Sequence, residues 1–494
     1  MSPTAEPVLL GIDVGTTNAK AGLVGLDGRL VASARASYPI DVNPEHGFAE
    51  QDSDAWWEAL RSLARDLAGA MERVEVAAVA IAGHGPTLVA VDEAGRPVRP
   101  AITWLDTRAN DEQEELSRQT GLLGWALGVL PKALWLERHD PAGARRARWY
   151  LNTWEALSLR LTGRAATSLV LGQSFQHRAA LVAAGLDPDK VAPPVAAGSV
   201  LGSLTPEAGA TLGLPAAVPV VAGVVDAFAS FHGAGLLRSG DAIDAGGTAG
   251  GFGVYVDRPV AARGSFSTAA PLPGLHVVGG AMAATGKALD WFRDDVLGAT
   301  IGTDQLIAEA ATIAPGADGL LFLPYLAGER SPIWNPTATG AFVGLTVSHG
   351  RAHLARAILE AAAFAIRHVA EPMLEAGVEV REMRVCGGPA NSPTWNRIKA
   401  DITGFPIQVP RVKETAVLGA AILAAVAVGG HRDLESAIGA MVSIDERIEP
   451  DPGHRSRYDA LYEVYTGLQP ALDRARAAGA TVDREPVAGG RAVS

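Results

Sequence analysis

Asp13 stands at the end of an apolar run, Val8 to Ile12, and is followed by Val14, Gly15, Thr16, Thr17 and Asn18. A glycine here permits a tight turn with backbone N–H groups pointing outward, and the threonine and asparagine side chains add donors, so the segment can cradle an anion such as phosphate. Asp13 is poorly placed to touch phosphate itself. A lone carboxylate can nonetheless hold Mg2+ through water, as hard-cation sites with few protein ligands do. Lys20 adds positive charge. An ordinary hairpin with a polar tip uses the same residue types.

The sequence Ile12-Asp13-Val14-Gly15-Thr16-Thr17 is echoed 231 residues later by Ile243-Asp244-Ala245-Gly246-Gly247-Thr248. Two such cradles facing each other are what a nucleotide with three phosphates needs, and the spacing suggests one β-hairpin module used once per half of the chain. Asp226 ends another apolar run, Val218 to Val225. Partial burial would raise its pKa, and a carboxylate facing a hydroxyl can take its proton as the oxygen attacks phosphorus; the same aspartate would also serve as a helix N-cap. His84 lies between Gly83 and Gly85, after an apolar segment, where a ligand could approach the backbone closely. A lone histidine is usually a structural group.

Other motifs fall away. Gly280 to Ala288 misses the phosphate-loop pattern, with Ala288 where a hydroxyl should bind Mg2+. Gly251-Phe252-Gly253 belongs to no complete dinucleotide fingerprint. His349 and His353 have helical spacing but lack the glutamate of a zinc-protease motif, and read as surface residues near a helix start.

The elements that must position these groups can be read from periodicity. The chain returns from the first turn in a second strand over Ala19 to Gly25, Asp54 to Arg73 has helical spacing, and Val74 to Ala82 reads as a buried strand. Glu93 to Pro97 is a turn, and helices are expected near Leu134 to Arg138 and Trp154 to Leu161. A chain of 494 residues exceeds a single core, which predicts two lobes with a boundary near Leu237 to Asp241: 1–238, 239–477, and a small polar tail over 478–494. Apolar residues at 48% and charged residues at 19% fit a globular body. A formal charge of −12 argues against a nucleic-acid partner. Cys386 is the only cysteine, so no internal disulfide or cysteine zinc site is expected, in keeping with a reducing cytoplasm. The charge-free stretch Ala208 to Val225 is broken by Pro215 and Pro219 and predicts no membrane span.

Taken together, the segments resemble the FGGY carbohydrate kinases, and within them the xylulokinase-like branch. The matching residues are the two hairpins, Asp226, Trp104-Leu105-Asp106-Thr107-Arg108, Pro131-Lys132-Ala133-Leu134-Trp135, Pro324 through Pro332, and Gly387 through Trp395 continuing to Ala400-Asp401 and Gly404. The resemblance runs from about residue 8 to 430. It implies an α/β fold of two actin-like (ribonuclease H-like) lobes around a central cleft, with ATP and Mg2+ as cofactors and a small sugar or polyol as partner. A homodimer is one assembly it allows. The resemblance gives Thr16, Thr17, Asn18 and Lys20 to one side of the phosphates, Gly247 and Thr248 to the other, and Gly286, Asp290, Gly388 and Asn391 to the nucleotide pocket. It makes Asp226 the general base, with Asp13 beside it as the catalytic and metal-holding carboxylate. Gly83 and His84 become the substrate-binding pair, and Trp104 and Asp106 wall the sugar pocket.

Departures fall on the sugar side. Relatives of the xylulokinase branch carry Gln-Met-His-Gly where this chain has Ala82-Gly83-His84-Gly85, a polar residue at Ala227, and an acidic, serine-rich segment at Ala166 to Val170. The implied substrate is a pentulose such as D-xylulose, with another ketose, gluconate or erythritol as alternatives. Pro86-Thr87, in place of an Arg-Glu pair, argue against glycerol. A non-catalytic sugar sensor or an actin-like ATPase is the reading from a different class, and retention of both Asp13 and Asp226 speaks against the sensor.

Overall fold

A computed structural model describes residues 7–43, 46–122, 124–168, 173–247 and 249–477. Thr248 and the expected tail over 478–494 lie outside the described residues.

The apolar run after Pro7 is buried on both faces, as an interior strand requires, and forms β1 (Pro7–Val14). It turns into β2 (Asn18–Gly25) and then β3 (Leu30–Ser37), where burial alternates because one face meets water. Helix α1 (Ser53–Met71) is capped by the Asp52 side chain, which accepts the Asp54 N–H, and buries Trp56, Trp57, Leu60, Leu63 and Leu67 along one stripe. The chain then enters β4 (Glu75–Gly83) and later β5 (Val200–Ser203) and β6 (Pro219–Val221). Their order in the sheet is β5-β6-β4-β1-β2-β3, with β1 antiparallel to β2 and parallel to β4. Helix α2 (Asp226–Ala234) leads out of this sheet.

The second sheet repeats that plan. Its strands are β7 (Asp241–Ala245), β8 (Gly250–Val256), β9 (Phe266–Ala269) and β10 (His276–Met282). After the long helix α3 (Arg351–Glu375) come β11 (Glu382–Cys386), α4 (Pro393–Thr403) and β12 (Ile407–Pro410). Helix α5 (Thr415–Ala427), β13 (Ile444–Ile448) and α6 (Pro452–Ala477) complete it. The order β9-β10-β8-β7-β11-β12-β13 matches the first sheet strand for strand, with β9 as an added edge. Asp13 and Asp244 hold the same place in it, one residue before the end of the strand that pairs antiparallel with its hairpin partner and parallel with a later strand. The fold is the expected α/β pair of actin-like lobes.

Helix α5 ties the halves together. Every residue from Thr415 to Ala425 is buried, as befits a helix that is apolar all round, and its side chains join the core of the first lobe. Close approach is secured by glycines where α5 crosses α2: a Cβ on Gly419 would sit 1.8 Å from the Ala229 carbonyl oxygen, and one on Gly233 would sit 1.9 Å from that of Thr415. No helix among the described residues is long and apolar enough to cross a membrane.

Candidate active site

The first turn is held from behind. Gly15 N–H donates to the Asn18 carbonyl at 3.0 Å, the Tyr38 hydroxyl donates to the Gly15 carbonyl, and Gln51 Nε2 donates to the Thr16 carbonyl at 2.7 Å. With those oxygens engaged, the Thr16 and Thr17 amides have no protein acceptor among the described residues, which is the arrangement an anion cradle requires. Gly387 fixes the opposite turn: its φ is +71°, and a Cβ there would lie 1.9 Å from the Gly246 oxygen, so only glycine lets the second hairpin settle against the Gly387-Gly388 segment.

Between the two turns lie two chambers that share Asp13, Thr16, Lys20, Gly246, Gly247, Gly387 and Glu414. One, of about 530 Å³, is lined also by Gly15, Thr17, Asn18, Gly286, Asp290, Gly388 and Asn391, with Leu289, Ile307 and Trp395 as apolar wall. The other, of about 370 Å³, adds Trp104, Asp226, Ala227, Ser230 and Arg330. Asp226 is the first residue of α2, placed there because Val225 bridges to Gly83 at the end of β4. Its Oδ1 accepts the Ala227 N–H at 2.7 Å, and burial, reinforced by the nearby charge of Asp13, pushes its carboxyl up to about 8. Asp13 is itself raised by burial to about 6. Its Oδ1 is buried with no hydrogen-bond partner among the described residues, and an orphaned carboxylate oxygen of this kind fits Mg2+.

Residues 8–233 match the N-terminal domain of the FGGY family of carbohydrate kinases, and residues 245–428 match its C-terminal domain. The chain belongs to that family. It is 30% identical to the xylulose kinase of Staphylococcus epidermidis, over 94% of this chain and 96% of that one, and 28% identical to the gluconokinase of Bacillus subtilis over the same shares. The crystal structure of xylulose kinase from Rhodospirillum rubrum superimposes with a TM-score of 0.78 at 31% identity, covering 94% of this chain and 99% of that one.

Within this FGGY chain, most of the residues expected at the site line the two chambers. Asp106 does not. Its side chain is wholly buried, accepts the Ala49 N–H at 2.7 Å and is held by Arg108 through bonds of 2.6–2.9 Å, so its acceptors serve the loop rather than a sugar. It lines neither chamber, whereas the sequence led us to expect it in the wall of the sugar pocket. Gly83 and His84 likewise line neither chamber. A Cβ on Gly83 would press on Thr153, and His84 packs edge-on against Trp56, its Nδ1 2.9 Å from Thr87 Oγ1. Its Nε2 is buried without a partner among the described residues, and burial lowers the imidazole to about 3, so the ring is neutral.

Three groups escaped sequence reading. Ser230 lies one helical turn after Asp226 and on the same face, a spacing that could have flagged it. Glu414 sits 2.5 Å from Lys20, its partner nearly four hundred residues away. The third is Lys399, which binds Asp244, the buried counterpart of Asp13 in the second hairpin. The repeat therefore carries one engaged aspartate and one available one.

Proposed function

We propose that the protein transfers the γ-phosphoryl group of ATP to a hydroxyl of a sugar, with a pentulose such as D-xylulose as the first-choice acceptor. What carries the reading is the placement of Asp226 and Asp13 in the chamber where both glycine turns converge. The sugar occupies the smaller chamber and ATP the larger, with the triphosphate spanning their shared residues. Thr16, Thr17, Asn18 and Lys20 hold one side of the phosphates and Gly247 the other, while Gly286, Asp290, Gly388 and Asn391 surround the nucleoside. Trp104 walls the sugar. Packed on Trp56, His84 keeps one nitrogen without a partner among the described residues, which a sugar hydroxyl could satisfy as the lobes close. Division at 1–238 and 239–477 follows, with α5 lent back to the first lobe.

Asp226 accepts the hydroxyl proton as the oxygen attacks phosphorus, and a carboxyl whose pKa lies near neutrality suits that task. Asp13 would hold Mg2+, which when bound supplies positive charge to the phosphate oxygens. Closure of the lobes excludes water and so suppresses wasteful hydrolysis of ATP. A cytoplasmic setting, where ATP is abundant, belongs to the same proposal.

Gluconate is the second acceptor to consider, because a gluconokinase matches the chain as fully as a xylulose kinase does. The test is ADP release by the purified protein across D-xylulose, D-gluconate, erythritol and glycerol. ATP turnover indifferent to every acceptor would overturn the sugar-kinase assignment.

A further inference from the structure

The smaller chamber is lined by three basic side chains, and two are already engaged. Lys20 is paired with Glu414 at 2.5 Å, while Lys413 donates to the Pro410 carbonyl and lies 4.0 Å from Asp445. Arg330 is different. Its Nη2 donates to the Met282 carbonyl at 2.7 Å, and among the described residues no carboxylate forms an ion pair with it. Neighbouring Glu329 is turned to the backbone, accepting from Ala283 N–H at 2.8 Å and from the Arg330 N–H at 2.7 Å, and burial raises it to about 7.

The loop that carries Arg330 is rigidly mounted. Glu329 and Asn335 exchange two backbone bonds of 2.9 Å, Ser331 N–H donates to the Ala281 carbonyl at 3.0 Å, and Ser331 Oγ donates to the Gly264 carbonyl at 2.8 Å. From this mount in the second lobe the guanidinium reaches over the indole of Trp104 in the first, 5.4 Å from the ring centroid. Trp104 Nε1 in turn donates to Thr16 Oγ1 at 2.9 Å. Arg330, Trp104 and the first phosphate turn thus form one contiguous stack across the cleft. Since Glu414 offsets Lys20, the chamber's two further carboxylates, Asp13 and Asp226, leave Arg330 as the protein cation without a carboxylate partner among the described residues that could meet an entering phosphoryl group beside a Mg2+ at Asp13.

We propose that Arg330 is a catalytic residue whose guanidinium, delivered across the cleft over Trp104, binds the phosphoryl group as it is transferred. The inference rests on the kinase reading above. In the step, a bond forms between the acceptor oxygen and the γ-phosphorus, and the bond from that phosphorus to the bridging oxygen breaks. The electron pair leaves on ADP, and the hydroxyl proton passes to Asp226. A planar guanidinium can offer two parallel N–H donors to the equatorial oxygens, which a lysine ammonium cannot. Held in place beforehand, it needs no reorganisation at the moment of reaction.

The experiment compares Arg330→Gln and Arg330→Lys with the wild type, with melting temperature as the check on folding. Steady-state kinetics on the accepted sugar are paired with calorimetric binding of ADP alone and of ADP with aluminium fluoride, a mimic of the transferring phosphoryl group. Arg330→Gln should lose on the order of 10³-fold in kcat, as arginine contacts to transferring phosphoryl groups do, with KM for ATP changed by no more than about threefold. It should bind ADP normally and lose the added affinity for the aluminium fluoride complex, with Arg330→Lys recovering only part. A kcat within about tenfold of wild type in Arg330→Gln, or equal weakening for ADP with and without aluminium fluoride, would overturn the proposal. A wild type that phosphorylates no sugar would instead overturn the kinase reading, and the aluminium fluoride comparison would still decide the role of Arg330.

Discussion

Lys20 of the first lobe and Glu414 of the second meet at 2.5 Å where the two chambers join. Lys20 faces Asp13 across the first hairpin, and Glu414 immediately precedes α5, so the pair links the first phosphate turn to the helix that ties the lobes together. Both side chains are partly exposed, so the bond itself adds no more than about 1 kcal/mol to stability. Its weight should fall on ATP binding.

Lys20→Met is expected to raise KM for ATP about tenfold, the scale of one charge-assisted hydrogen bond, with melting nearly unchanged. Glu414→Gln should alter the same parameter, and the double variant should not show the sum of the two effects, because the residues act as a unit. Strict additivity in a double-mutant cycle for KM would show that the pair is uncoupled.

Asp226→Asn should lower kcat by about 10²-fold or more. In the wild type, kcat/KM is expected to climb with pH and level off above about 8, because the carboxyl must lose its proton before it can accept one, and burial with Asp13 nearby holds it at about 8. A profile already flat between pH 5 and 8 would contradict that assignment.

The same carboxyl makes stability depend on pH. Its folded pKa of about 8 lies above the ordinary 3.8, so between those values the native state retains a proton that the unfolded chain has released. The stabilisation it brings is complete below the lower value and fades as pH rises toward 8. Asp226→Asn escapes that loss. Its melting temperature relative to wild type should therefore increase from pH 5 to pH 8 and stay constant above; thermal melts across that range provide the check.

Asp106→Ala should act on the fold. Removing the carboxylate leaves the buried Arg108 with Glu50, 2.7 Å away, as its one carboxylate among the described residues, and strands the Ala49 N–H. A loss of about 3 kcal/mol is expected, with KM for the sugar changed by less than about threefold in whatever protein remains folded. Denaturant titration beside kinetics separates the two, and a normal stability with a raised KM would restore the sugar contact to Asp106.

Gly419→Ala should also destabilise, by about 2 kcal/mol or more, since its Cβ would fall within 1.8 Å of the Ala229 oxygen and the helices cannot both keep their places. An unchanged melting curve would mean that the crossing is looser than the close approach implies.

The parts of this molecule written in local pattern could be read from the chain. The helix expected over 54–73 is Ser53–Met71, the strand expected over 74–82 is Glu75–Gly83, and the repeated hairpin became the matched centres of two sheets. Periodicity and turn chemistry act within a few residues, so they survive without tertiary knowledge. What could not be read depends on distant partners. Asp106 looked like a pocket carboxylate because nothing nearby in sequence reveals that Ala49 and Arg108 consume it. Lys399 gave no sign that it neutralises Asp244, and nothing local in Thr415 to Ala427 says that the helix packs into the core of the first lobe.

Where that helix went has a cost during synthesis. A ribosome that has just finished residue 238 has synthesised every strand of the first sheet, yet β1 still lacks the cover that α5 provides: a Cβ on Gly11 would lie 2.2 Å from the Val417 oxygen, so the two backbones nearly touch in the finished protein. Nearly two hundred more residues must emerge before that surface is sealed. The first half to be made is therefore among the last to be completed, and a polypeptide stopped between the lobes would display a bare, greasy sheet to the chaperones of its host.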